Sequence, residues 1–135
     1  MDAPSPLTAS LHVALGGAIG SVLRYQLGRM MTGLIGPQAM GAFPWATLTV
    51  NILGSLAMGL LAGWLMKAGQ AAEPYRLLLG IGLLGGFTTF SAFSLELMVL
   101  IDRGQGSQAF LYAAVSVLAG LSAIYIGRII MLLLA

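Results

Sequence analysis

The sequence predicts an all-α integral membrane protein of four transmembrane helices, the third of them broken. Three observations predict it. Only 7% of the 135 residues are charged and 59% are hydrophobic, whereas a soluble domain carries about 25% charged residues. So few charges do not cover a water-facing surface. The apolar residues fall into four blocks, each reaching the roughly 20 residues needed to cross a hydrocarbon core. The third block contains GLLGGFTTFSAFSLE, from Gly82 to Glu96, where glycines and hydroxyls interrupt the apolar run.

Each block has its own punctuation. The polar leader MDAPSPLTAS has two prolines and no positive region, unlike a cleavable signal peptide. Span 1 then covers residues 11–31, and Thr32-Gly33 and Gly36-Pro37 are read as the connection after it. Span 2 covers 43–66, with Pro44 in a first turn that tolerates a missing N–H. Lys67-Ala68-Gly69-Gln70 ends it, and Glu73-Pro74 introduces span 3 over 75–101. The segment 102–106, Asp-Arg-Gly-Gln-Gly, separates it from span 4 over 107–134. The whole reads as a single transmembrane domain, residues 1–135, embedded in membrane lipid.

Several classes are disfavoured by composition. The chain has no cysteine, so disulfides and thiolate metal sites are excluded. A net charge of +2 is too small to suggest nucleic acid. No set of nucleophile, base and orienting residue points to an enzyme.

The charges also bear on orientation. Four spans put Lys67, Arg76 and Arg128 on one side, and Arg24, Arg29 and Arg103 on the other. Lys/Arg bias normally sets topology, and three against three is no bias. Insertion in both directions is therefore permitted, and with it an antiparallel, dual-topology homodimer about a two-fold axis in the membrane plane.

The polar residues inside the spans carry the functional signal. Thr47 and Asn51 are four apart and share a face of span 2. Ser55, Gly59 and Gly63 continue as a small-residue stripe suited to helix packing. Tyr112 and Ser116 repeat the four-residue spacing in span 4. Such groups either glue helices together, at roughly 0.6–2 kcal/mol per hydrogen bond, or line a pathway, and spacing leaves both open.

In span 3, a break at Gly85–Thr88 is expected to face protein or an aqueous cavity, because lipid tolerates no exposed non-helical backbone. Phe87, Phe90 and Phe93 recur every third residue among Ser91, Ser94 and the threonines. Glu96 follows a turn later, where a buried and an interfacial position are both open. Arg29 is expected to snorkel to the interface. Arg24, a turn deeper, fits a structural hydrogen-bonding role or a vestibule. His12 stands alone, with no second metal ligand nearby.

Together these residues resemble the CrcB/Fluc family of fluoride channels over essentially the whole chain. GGAIGSVLRY in span 1, the Thr47/Asn51 pair, GGFTTFSAFS in span 3 and the Tyr112/Ser116 pair carry the likeness. The resemblance implies an antiparallel homodimer with two pores in the plasma membrane, the bacterial inner membrane, that exports cytoplasmic fluoride passively. It implies a structural sodium ion at the dimer centre, held by backbone carbonyls of Gly85 and Thr88. It further implies a fluoride pathway of Asn51, Phe90, Phe93, Tyr112 and Ser116, with Thr47 and Glu96 as further candidates. Ala92 departs from the pattern, since many relatives have threonine there.

Two other readings stand beside this one. A small proton-coupled multidrug exporter would need a carboxylate in span 1, which has none, so Glu96 would have to serve. A non-transporting membrane assembly subunit would move no ion.

Overall fold

The computed structural model describes residues 4–134, the side chain of Gln70 excepted. It is helical throughout, without strands among the described residues, and four helical stretches are long and apolar enough to cross a membrane.

Helix α1 spans Pro6–Ala42. Proline at its first position loses no intrahelical bond, and Ser5 Oγ accepts the Thr8 N–H at 3.2 Å. The helix continues well past the expected end at residue 31. Thr32 turns its hydroxyl back onto Gly28 O at 2.9 Å and stays helical. The chain kinks at Gly36, whose φ of 84° suits a residue without a Cβ. Pro37 then starts a further helical piece, where its absent N–H is harmless. The connection proper is therefore Phe43-Pro44 rather than residues 32–37.

Helix α2 spans Trp45–Ala68 and leads through a 3₁₀ turn, Gly69–Ala72, into the third span. That span begins with α3, three continuous pieces: Glu73–Tyr75, a π-helical stretch Arg76–Leu84, and Gly85–Phe87. Thr88 (φ −81°, ψ 161°) and Thr89 (φ −155°, ψ 125°) are extended. Helix α4, Phe90–Asp102, completes the span, and α5, Gly106–Leu133, is the fourth.

Two helix pairs pack closely. Gly16 and Gly20 set α1 against the backbone of α3: a Cβ at Gly16 would collide with Leu78 O, and one at Gly20 with Leu83 O. Gly82 and Gly86 return the contact onto Val13 and Gly17. On the other side, Gly59 and Gly63 of α2 lie on Ile124, Arg128 and Met131 of α5, and Gly127 lies on Leu56 and Leu60. The small-residue stripes thus act in packing, as small side chains do where helices must approach in lipid. A core of Leu48, Leu100, Ala109 and Tyr112 closes one end, with Phe43, Phe93 and Leu97 against it. Large apolar side chains such as Leu7, Phe110, Leu118 and Leu133 point outward, as a lipid-facing surface requires.

Candidate functional site

The site is built where α2, α4 and α5 converge on the two extended threonines. An uninterrupted helix would carry the Thr89 N–H to the carbonyl of Gly85. Here that N–H donates instead to Asn51 Oδ1 at 2.9 Å, and Asn51 Nδ2 donates to Thr89 O at 3.0 Å. The side-chain amide thus pairs with Thr89 in both directions, as a neighbouring peptide would. One N–H of Asn51 remains for another acceptor. Thr88 satisfies the preceding turn, its N–H and its hydroxyl both donating to Leu84 O, at 3.0 and 2.8 Å. Thr89 Oγ1 caps α4 by accepting the Ala92 N–H at 3.3 Å.

The interruption falls at Thr88–Thr89, one step beyond most of the expected Gly85–Thr88 window. Gly85 and Gly86 keep helical backbone, and Gly86 packs against Gly17. Gly85 nonetheless loses its helical donor to Asn51, so its carbonyl is released without the residue itself unwinding.

One turn along α2 from Asn51, Thr47 Oγ1 donates to Glu96 Oε1 at 2.7 Å. Tyr112 OH, fully buried, donates to Glu96 Oε2 at 2.7 Å. Glu96 therefore sits half-buried between α2 and α5. Four residues beyond Tyr112, Ser116 Oγ is buried with no partner. An unpaired buried hydroxyl normally costs about 1–3 kcal/mol and marks a place where something else can bond.

The phenylalanines border this polar line. The Phe93 ring lies 5.1 Å from that of Tyr112, and Phe90 lies 5.7 Å from Phe93. Phe90 is 78% exposed on the single chain. Phe43, which the sequence reading passed over, meets Tyr112 edge-on at 5.5 Å. Thr89 was also not singled out; its signal was a hydroxyl three residues before Ala92 at a helix start, the N-cap pattern.

Two open cavities flank the line. One of about 270 Å³ is bordered by Asn51, Ser55, Thr88 and Phe90. Another of about 380 Å³ is bordered by Arg24, Thr47, Thr89, Ser91 and Ala92. Arg24 makes no side-chain hydrogen bond among the described residues. It borders this cavity together with Thr47 and Thr89. Ala92 contributes only a methyl group to the same wall.

The profile of the family described as "CrcB-like protein, Camphor Resistance (CrcB)" matches residues 11–128. The chain belongs to the CrcB-like family. Among its relatives is the protein named "Fluoride-specific ion channel FluC" of Erythrobacter litoralis (strain HTCC2594), 56% identical over 136 residues, covering 100% of both chains. The protein of that name from Novosphingobium aromaticivorans is 54% identical over 93% of this chain and 97% of its own. That from Hyphomonas neptunium is 55% identical over 87% and 90%. With its four membrane-crossing stretches, this CrcB-like chain is a multi-pass membrane protein. The quoted names describe ion channels rather than enzymes. The line from Asn51 to Ser116 lies wholly within the matched region.

Proposed function

We propose that this CrcB-like protein is a fluoride-selective channel that lets cytoplasmic fluoride leak passively across the bacterial plasma membrane. The observation that carries the reading is a line of uncharged donors left only partly saturated: the second N–H of Asn51, and the buried, unpartnered Ser116 hydroxyl beside Tyr112.

Fluoride is small and holds its water tightly. Moving a small ion into a low-dielectric medium costs of order 20 kcal/mol before relaxation. A conducting path must replace that water with donors in several weak sites. Hydroxyls and an amide do so without the deep trap of a buried lysine. Phe90 and Phe93 add the positive edges of their rings. Thr47 and Tyr112 already donate to Glu96. An arriving anion competes with the carboxylate for these protons, and each hydroxyl can exchange one acceptor for the other by rotating. A passive path needs no proton coupling, and Glu96 acts here as an acceptor that keeps the two hydroxyls aligned.

The working unit in this reading is an antiparallel homodimer with two pores. Phe90, exposed on one chain beside the line, is then covered by the partner, and the balanced arginines and lysine suit both orientations. The carbonyls of Gly85 and Thr88 are the residues to hold a central sodium ion. Gly85 O has lost its helical donor, Thr88 is extended, and neutral oxygens suit a hard cation. Bound there, sodium would tie the interrupted spans together and make the interior more positive.

The test is efflux from liposomes containing the purified chain, followed with a fluoride electrode. Rapid fluoride loss with little chloride loss supports the reading. Equal or faster chloride release overturns the selectivity, and no release of either overturns the channel.

A further inference from the structure

Arg103 lies outside the line of residues described above. It caps the end of α4, donating its N–H to Val99 O at 3.1 Å, before the chain turns at Gly104. Its Nη1 donates to Gly41 O at 3.0 Å, which holds the guanidinium across to the end of α1. Among the described residues no salt bridge engages it. A guanidinium has five N–H donors, so most of its bonding capacity is unspent.

Glu96 and Arg103 are seven residues apart, which puts them on nearly the same side of α4 and about 10 Å apart along its axis. Both border one cleft of about 250 Å³ between α4 and the connection from α1 to α2. Its other walls include Phe43, Val99 and Leu100, and Asp102 is not among them. The cleft thus runs from the carboxylate to the exposed end of the bundle, with a cation at its rim. An anion approaching from this end meets an apolar wall and then Glu96, and both oppose entry. A positive charge at the mouth offsets that opposition and raises the local anion concentration.

We propose that Arg103 is the positioning residue that gathers anions at this mouth of the fluoride path, with its bond to Gly41 fixing the guanidinium at the rim. The role rests on the channel reading above.

The chain has no cysteine, so Arg103→Cys carries a unique thiol that can be charged after folding. The purified variant is coupled in detergent to a cationic or an anionic methanethiosulfonate and then reconstituted. Fluoride efflux is compared at ionic strengths of about 0.01 M and about 1 M, where the Debye length is about 30 Å and about 3 Å. The cationic adduct is expected to conduct roughly threefold or more faster than the anionic one at low ionic strength, with the ratio falling toward one at high. Arg103→Lys should keep most of the wild-type flux. A purely structural cap predicts adducts that behave alike at both ionic strengths. That result, with a conducting wild type, overturns the role of Arg103 alone. A wild type that moves no fluoride overturns the channel reading and this role with it.

Discussion

Where α1 meets α3, bare glycines bring backbone against backbone: Gly16 on Leu78 and Gly20 on Leu83. Where α2 meets α4, the contact is made instead by Asn51 on Thr89 and by Thr47 on Glu96, with Tyr112 of α5 reaching the same carboxylate. In lipid neither seam is driven by water leaving apolar surface, since the tails are as apolar as leucine. The first relies on close packing of backbone on backbone. The second relies on hydrogen bonds and leaves a donor over. A seam of the first kind only holds. One of the second kind can hold and also exchange partners with an ion.

Substitutions that strain one seam and spare the other test this contrast. The largest effect is expected from Gly20→Val. Its branched side chain would strike the Leu83 carbonyl and the Phe87 N, and overpacking of this kind costs typically 1–3 kcal/mol, occasionally more. Backbone cannot swing aside as a side chain can, so a value at or above about 3 kcal/mol is expected. The checks are thermal melting and gel filtration in detergent, and flux should disappear with the fold.

Asn51→Asp comes next and should separate flux from folding. It keeps the acceptor for the Thr89 N–H but loses the donor to Thr89 O, and it sets a negative charge in the anion's way. Stability should fall by about 1–3 kcal/mol. Fluoride flux per folded protein should fall by roughly 30-fold or more, equivalent to about 2 kcal/mol of barrier. Wild-type flux would remove Asn51 from the path.

Glu96→Gln should be milder. The amide keeps one oxygen and puts an NH2 in place of the other, so one of Thr47 and Tyr112 must accept where it now donates. A loss of up to about tenfold in flux, about 1.4 kcal/mol, is expected, measured by electrode in the same liposomes. Complete loss with the fold intact would favour a proton-coupled exporter. Ser116→Ala is the gentlest and the most selective. Its hydroxyl has no partner to lose, so stability should hold or rise by up to about 1–3 kcal/mol while fluoride flux drops severalfold.

The four spans were legible because charge poverty and block length are properties of the chain itself. So were the pairs Thr47/Asn51 and Tyr112/Ser116, since helical period alone puts each on one face. The end of α1 was misread because Gly36-Pro37 reads as a loop, yet a kink followed by proline at a helix start continues it. The interruption in the third span overlaps the expected Gly85–Thr88 window only at Thr88, because glycines look like breakers. Gly85 and Gly86 stay helical, the latter against Gly17, and it is the partnership of Asn51 with Thr89 that accompanies the extended pair. What each polar side chain binds lay beyond sequence reading. Glu96 is 49 positions from Thr47, and Arg103 is 62 from Gly41, and no local pattern encodes either pairing.

The central claim, that the donor-rich seam passes fluoride in preference to other anions, is tested most directly by the reversal potential of the purified protein in a planar bilayer. With a fluoride gradient and equal chloride on both sides, the account predicts reversal at the potential set by fluoride, unmoved when a chloride gradient is then imposed. A reversal potential that follows the chloride gradient would contradict it.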